Sequence, residues 1–182
     1  QLTIDGPNLN LQSLEILTGQ TQILGSLDIK DLGISQGTYF ERFNYKLQLL
    51  NSDISLSDIG YYAPYLKTHR ANFKVTADVF GPLSNLSSAN IRAVSDQGSN
   101  LTFDYKCTGI PEVPHMKHWV TFKNSSFSSS DIARFFNQET WVEELKPLGS
   151  VYIDGDSYIP NNGFQYQGIL RTKAGSFIGK HD

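Results

Sequence analysis

Several stretches of this chain alternate apolar and polar residues with a period of two, and this alternation restricts its fold more than any other feature. In FNYKLQL, residues 43–49, every second side chain is apolar and those between are polar. FKVTADV (73–79) and NLTFDYKC (100–107) show the same pattern. Because successive side chains of a β-strand point to opposite faces, each stretch predicts a strand with one apolar and one polar face.

Turn-forming residues separate these stretches: Gly-Pro at Gly81, Gln-Gly-Ser at Gln97, and Pro-Asn-Asn-Gly at residues 160–163. Short strands at regular spacing predict an antiparallel meander. The predicted fold class is therefore all-β with two short helices, as an elongated, curled antiparallel sheet. Roughly a dozen strands at ~4.8 Å spacing would make a strip ~50 Å long. A closed sandwich of two sheets is the alternative.

One phrase occurs twice, as NSDISLSDI at Asn51–Ile59 and as NSSFSSSDI at Asn124–Ile132. After each copy come a short apolar stretch and two alternating runs that close on Gly-Ser, with an offset of 73 residues at the Asn and 77 at the Gly-Ser. This order predicts a repeat of about 75 residues whose units stack on their neighbours. Residues 1–50 would end a preceding repeat, 51–123 form one unit, and 124–182 form an incomplete second unit. Both ends read as alternating runs, so we expect an interior section of a longer protein.

The repeated phrase also predicts two short helices. Ser57 and Ser130 stand where an N-cap hydroxyl would, and each precedes an Asp that suits the positive end of a helix dipole. Apolar residues then recur at helical spacing, although Pro64 should end the first helix early. We expect these helices to cover the apolar face of the sheet, with plain surface helices as the alternative. The predicted covering residues are Ile59, Tyr62, Phe135 and Phe136.

Charge and motifs exclude several kinds of function. The net charge of −3 is small and scattered, which argues against nucleic acid or an anionic membrane surface as a partner. A single Cys excludes an internal disulfide framework. The GISQG stretch at residues 33–37 fits a serine-hydrolase pattern, but a strand rather than a helix is predicted after it.

Candidate metal ligands are equally weak. His115 and His118 are three residues apart and would point to opposite faces of a strand, while Asp154 and Asp156 lie on a polar face. We therefore expect no catalytic residue, no metal and no cofactor.

The order of these motifs resembles a known family. KLQLLNSDISLSDIGYYAPYL, TGIP at residues 108–111 and LGSVYIDGDSYIPNNGFQYQGILRTKAGSF are similar to the TamB (translocation and assembly module) subset of AsmA-like envelope proteins of Gram-negative bacteria. The similarity runs from about Ile23 to Phe177. One departure is SYIP at residues 157–160, where a Gly would be expected to close the strand.

The resemblance implies an interior section of a long periplasmic β-sheet folded like a taco, with a hydrophobic inner groove. The parent chain would be anchored in the inner membrane and would contact an outer-membrane barrel protein of the Omp85 type through a part not present here. It implies carriage of phospholipid between the two membranes, support of outer-membrane protein assembly, or both.

The alternating residues define the expected lipid-binding wall of that groove. Its predicted members are Phe43, Tyr45, Leu47, Leu49, Phe73, Val75, Val79, Leu101, Phe103, Tyr105, Val120, Phe122, Val151, Ile153, Phe164 and Tyr166. Two other interpretations use the same sheet. It could be a structural or adhesive β-repeat with a sealed core and a carbohydrate- or protein-binding polar face, or it could pair its edge with strands of outer-membrane proteins.

Overall fold

The computed structural model describes residues 2–30, 32, 43–60, 67–110, 112, 115–135, 138, 140–160 and 165–181. Eleven strands form one antiparallel sheet in which strand order follows chain order. The strands are β1 (Leu2–Asp5), β2 (Asn8–Thr18), β3 (Thr21–Lys30), β4 (Asn44–Ser55), β5 (Asn72–Gly81), β6 (Asn85–Ser95), β7 (Asn100–Thr108), β8 (Lys117–Phe127), β9 (Val151–Ile159), β10 (Gln165–Thr172) and β11 (Gly175–His181).

Short helices occupy two of the connections. Helix α1 (Leu56–Ile59) follows β4, while α2 (Ser129–Phe135), α3 (Trp141–Leu145) and a 3₁₀ helix (Lys146–Leu148) follow β8. The sheet is open and ranges from uncurled to moderately curved, and the all-β, elongated antiparallel class is confirmed. Helix α3 was not predicted.

Regular bulges interrupt this sheet. The pairing shifts by one residue on β2, β4, β6 and β8, which are every second strand. On the last three, the bulge contains an asparagine with positive φ: Asn51 (49°), Asn90 (54°) and Asn124 (46°). Asn tolerates this left-handed conformation better than most residues do. Because a bulge bends its strand and increases the local twist, a row of them curves the sheet.

Side chains of the following strand bind the amides of these three asparagines. The Asn90 N–H donates to Asp104 at 2.8 Å and the Asn124 N–H donates to Asp154 at 2.9 Å. The Asn51 N–H lies 3.4 Å from the Thr76 hydroxyl, which in turn donates to the Asn51 side-chain oxygen. The amides that a bulge leaves without a ladder partner are therefore satisfied.

At two of the bulges, the serine that follows the asparagine hydrogen-bonds to the backbone of the preceding strand. Ser125 Oγ accepts a hydrogen bond from the Thr102 N–H at 2.9 Å and donates to the Thr102 carbonyl at 2.8 Å. Ser52 Oγ makes the same two contacts with Leu24, each at 3.0 Å. Thr102 and Leu24 both lie where the backbone pairing is interrupted. One hydroxyl thus replaces two missing backbone partners.

The rest of the repeated phrase fastens a helix to the preceding hairpin. Asp58 accepts the Gln20 N–H at 2.7 Å in the β2–β3 turn. Asp131, which is buried, accepts hydrogen bonds from the hydroxyls of Ser95, Ser99 and Ser128, two of them at the β6–β7 turn. The phrase therefore encodes a bulge, a ladder-bridging serine and an aspartate that holds the following helix to a turn.

The predicted helix caps were wrong. Helix α2 begins at Ser129, and the Asp131 N–H donates to Ser128 at 3.1 Å, so Ser128 rather than Ser130 is the capping residue. Helix α1 follows Ser55, whose hydroxyl makes no cap bond and lies 2.8 Å from the Ser57 hydroxyl. Both helices begin earlier than the predicted caps: α1 directly follows β4, and α2 follows β8 after one residue.

Close approach requires glycine at several positions, and Gly25 and Gly19 illustrate this. A Cβ at Gly25 on β3 would overlap the Gln48 carbonyl oxygen of β4, and a Cβ at Gly19, with φ +55°, would overlap the Asp58 carboxylate.

The predicted division at residues 51 and 124 places both boundaries inside strands, β4 and β8.

Candidate functional site: the apolar face of the sheet

Strand register brings the predicted wall residues to one face. Leu27, Leu47 and Val79 pair across β3, β4 and β5, and Ile91, Phe103 and Phe122 pair across β6, β7 and β8. We call the side of the sheet that carries these rows the apolar face and its reverse the polar face. The other predicted wall residues that lie in strands are on the same face: Tyr45, Leu49, Phe73, Val75, Leu101, Tyr105, Val120, Val151, Ile153 and Tyr166.

Two predicted wall residues lie outside the strands. Phe43 directly precedes β4, is buried, and has its ring 6.3 Å from that of Tyr45. Phe164 lies outside the described residues.

Within the described strands, the apolar face holds no Asp, Glu, Lys or Arg side chain. Along the described register of β1–β11, each Asp, Glu, Lys and Arg of the strands falls on the polar face or in a bulge. The strands therefore present a face without formally charged side chains across all eleven of them, and the Asp131 carboxylate meets this face at Ser95, the last residue of β6.

Burial on this face is graded. Leu49, Ala77 and Ile91 form a buried cluster at its centre, against which partly buried neighbours such as Leu47 and Phe103 pack. Of the remaining predicted wall, Leu101 and Tyr166 are buried, whereas most of the others are half-buried. The half-buried wall residues are Tyr45, Leu47, Phe73, Val75, Val79, Phe103, Tyr105, Val120, Phe122, Val151 and Ile153. Most of the wall thus keeps accessible surface.

Aromatic rings contribute to this face at β7 and β8. The rings of Phe103 and Phe122 lie 5.9 Å apart, and those of Phe122 and Phe127 lie 6.0 Å apart in an edge-on arrangement. Such tilted pairs are the favoured geometries for aromatic contacts and add packing beyond the area they bury.

A few polar groups stand among the apolar residues. The Tyr105 hydroxyl lies 2.7 Å from Nδ1 of His118, and their rings are stacked with centroids 6.0 Å apart. The Tyr166 hydroxyl lies 3.1 Å from the carbonyl oxygens of both Asp154 and Ile169, and its single proton can be donated to either one. Ser157 is buried, and its Oγ has no hydrogen-bond partner among the described residues.

Burial sets the protonation of the titratable groups here. It raises the pKa of the Tyr45 and Tyr166 hydroxyls and of the Cys107 thiol, and it lowers the pKa of the His118 imidazole. In each case burial disfavours the charged form, so these side chains are neutral near pH 7.

The polar face is held by ion pairs and hydrogen bonds. Lys74 lies 2.8 Å from Asp53, and Lys123 lies 2.7 Å from Asp104. The hydrogen bond from Lys123 holds the pKa of Asp104 below its ordinary value. This face also presents Trp119, whose ring stacks on Tyr158 at 5.2 Å with the Lys106 ammonium 5.7 Å from the Trp119 ring centroid.

The helix residues predicted to cover the apolar face are only partly described. Ile59 is half-buried. Phe135 is 41% exposed, and its ring is edge-on to that of His69, which lies in the α1–β5 connection, with the ring centroids 4.8 Å apart. Tyr62 and Phe136 lie outside the described residues. The covering role of these four residues stays a prediction.

The candidate catalytic and metal-binding residues are not brought together. Asp154 and Asp156 lie on the polar face, where they accept hydrogen bonds from the Asn124 N–H and the Thr121 hydroxyl. His115 precedes β8 and lies 3.7 Å from Glu112, whereas His118 is on the apolar face. The described residues contain no group of three or more His, Cys, Asp or Glu side chains that could hold a metal ion. GISQG lies outside them.

Sequence reasoning missed wall residues that follow a bulge. Ile54 and Ile91 lie on the apolar face because Asn51 and Asn90 shift the alternation by one residue. The signal that could have found them is the Asn preceding each change of phase, since a strand that switches phase must contain an extra residue. Leu11, Leu14 and Leu27 on β2 and β3 were also missed.

None of the helices within the described residues has the length and apolar character needed to cross a membrane.

No protein-family model, curated protein or solved structure matches this chain.

Proposed function

We propose that this chain is a section of a hydrophobic groove whose apolar face holds the acyl chains of phospholipids, as in the TamB-like envelope proteins that its motifs resemble. The observation that carries the proposal is the uncharged apolar face, which continues across eleven strands of an open sheet. The half-buried state of most predicted wall residues supports it, since side chains sealed in a closed core would be buried throughout.

The energetics favour such a role. Exposing two long acyl chains to water costs about 20 kcal/mol or more, at ~0.8 kcal/mol for each CH₂ group. A surface of Leu, Val, Ile and Phe side chains removes most of that cost, and the headgroup can remain in water. The site then requires shape and an absence of charge, with no catalytic group. The role we propose is binding and carriage, not catalysis.

The setting follows from the same proposal. The section would lie in the periplasm, as part of a chain anchored in the inner membrane and contacting an outer-membrane barrel protein elsewhere along its length. Phospholipid acyl chains would be its direct partners. Support of outer-membrane protein assembly would use the same sheet.

Crosslinking from two adjacent residues tests the proposal. Leu47 lies on the apolar face, in a row with Leu27 and Val79, and Gln48 lies on the polar face of the same strand. A photoreactive phenylalanine analogue at position 47 should form adducts with phospholipid in envelope-derived vesicles, and the same analogue at position 48 should not. Equal yields at both positions, or none at position 47, would contradict the proposal.

A charge substitution provides a second test. Leu47→Asp places a carboxylate on the half-buried apolar face and should lower co-purifying phospholipid and impair outer-membrane integrity while the section still folds. Gln48→Asp, on the exposed polar face, is the matched control and should leave both unchanged. Complete loss of soluble protein for Leu47→Asp alone would favour a sealed structural core.

One observation favours a second candidate function, a binding module that uses the polar face. Trp119 is 36% exposed and stacks on the half-buried Tyr158 beside Lys106. An accessible aromatic ring with nearby polar groups is suited to carbohydrate or protein ligands. Glycan-array binding that Trp119→Ala abolishes and Leu47→Asp preserves would support this role over the groove.

A further inference from the structure

The Tyr105–His118 pair is placed at the end of the strands, at the border of the apolar face. His118 is the second residue of β8, and its partner Cys107 is the second-last residue of β7. On the neighbouring strand β9, His118 pairs with Ile159, the last residue of that strand. Further along β8, the same face continues with Val120 and Phe122. Along β8, the face therefore changes from the hydrogen-bonding His118 to apolar side chains.

The hydrogen bond between the two side chains determines which nitrogen of His118 carries the proton. The Tyr105 hydroxyl lies 2.7 Å from Nδ1, and a phenol is a stronger hydrogen-bond donor than a neutral imidazole N–H. The tautomer that suits this stronger donor has Tyr105 donating to Nδ1 and the proton of the neutral ring on Nε2. The hydrogen bond described for His118 is the one at Nδ1, and the side chain is half-buried, so an Nε2–H on this tautomer is left as a donor for a ligand.

The surroundings limit the chemistry of that ligand. The residues that pair with His118 are Cys107 and Ile159, and the apolar face around them holds no described Lys or Arg. A phosphate or carboxylate would come to this surface without a counter-charge and would lose its hydration. A neutral acceptor such as a carbonyl oxygen needs only one donor.

We propose that the Tyr105–His118 pair recognises the ester carbonyl of a diacyl lipid whose chains lie on the apolar face beside it. This inference rests on the proposed lipid-binding function and assigns it a chemical preference. In a diacyl lipid the ester carbonyls lie between the acyl tails and the headgroup. Tails lying against Val120 and Phe122 place a carbonyl at the strand end where the Nε2–H is found. His118 is the binding residue, and Tyr105 positions it by fixing the tautomer.

Competition between an ester lipid and its ether analogue tests this preference. The protein is incubated with equal amounts of dioleoyl phosphatidylcholine and a dialkyl ether phosphatidylcholine of equal chain length, which lacks the carbonyl oxygens. Native mass spectrometry then reads the occupancy of each. A neutral hydrogen bond predicts about two- to tenfold preference for the ester lipid in the wild-type protein.

The variants separate recognition from packing. His118→Leu should reduce the ester-to-ether ratio to about one, because the donor to the carbonyl is lost. Tyr105→Phe should give an intermediate ratio, since the ring remains but its tautomer is no longer fixed. Trp119→Leu, the adjacent residue on the polar face, is the control and should keep the wild-type ratio.

The outcomes distinguish the two proposals. A wild-type ratio of about one, with both lipids bound, overturns carbonyl recognition and leaves the groove intact. A His118→Leu protein that keeps the wild-type preference also overturns it. Binding of neither lipid overturns the proposed function and this inference together.

Discussion

Replacing Ser125 with alanine removes a single oxygen atom that bridges two backbone groups. Ser125 is completely buried, and its hydroxyl both accepts from the Thr102 N–H and donates to the Thr102 carbonyl. Because the bulge at Asn124 displaces the β8 backbone, no ladder partner is in place to substitute for that hydroxyl. The variant leaves a donor and an acceptor unpaired inside the sheet.

The expected cost follows from the two orphaned groups. An unsatisfied buried backbone group costs about 1–3 kcal/mol, so Ser125→Ala should lower the free energy of unfolding by about 2–4 kcal/mol. With a urea dependence of about 1–3 kcal/mol per molar, the unfolding midpoint should fall by roughly 1–2 M. Ser52→Ala removes the equivalent bridge to Leu24 and should have a similar effect.

Urea unfolding followed by circular dichroism measures this change, and amide hydrogen exchange locates it. The Thr102 amide should exchange faster in Ser125→Ala, and the Leu24 amide in Ser52→Ala. Ser126→Ala, at the next residue but on the polar face, is the control and should shift stability by less than about 0.5 kcal/mol. If the midpoints of Ser125→Ala and Ser52→Ala match that control and both amides keep their protection, the bridging argument is refuted.

Three further predictions concern single side chains. Asn124 has φ 46°, so Asn124→Val should destabilise the protein by about 1–2 kcal/mol in urea unfolding, whereas Asn124→Gly should change it little. Ser157→Ala removes a buried hydroxyl without a described partner and should leave stability equal or raise it by about 1 kcal/mol in the same assay. Burial lowers the pKa of His118 below its unfolded value of about 6.5, so the unfolded chain binds the proton more readily and stability should fall as the pH drops below that value.

Each of these has a contradicting result. Equal stability of Asn124→Val and Asn124→Gly would show that the bulge imposes no left-handed requirement. A clear loss of stability in Ser157→Ala would show that its hydroxyl has a partner. For His118, the difference in unfolding midpoint between the wild-type protein and His118→Gln should change from pH 7.5 to pH 5.5, and a constant difference would contradict the pKa argument.

The sequence was sufficient for the strands and for their faces wherever alternation is unbroken. Phe73, Val75 and Val79 on β5 and Leu101, Phe103 and Tyr105 on β7 lie on the face that the pattern assigned to them. The prediction failed where the phase changes, as at Ile54 and Ile91, and at the helix starts, where Ser128 rather than Ser130 is the cap.

The candidate site was likewise predicted from the sequence only in part. The wall of the apolar face was readable from the sequence, but the Tyr105–His118 pair was not. Those residues are thirteen positions apart and meet only because the β7–β8 register sets Cys107 opposite His118. In the sequence, His118 stood out only as a weak metal ligand beside His115.

What the sequence by itself determined is therefore the division of each strand into an apolar and a polar side, because that property depends only on residues two positions apart. It also determined that a phrase is used twice, although not what the phrase does. The tertiary structure decided the rest: which strand each bulge faces, that Ser52 and Ser125 replace missing ladder partners, and that His118 stands among the apolar residues. Each of these features depends on which residue of the neighbouring strand lies opposite. The alternation of residues within a single strand does not encode that pairing.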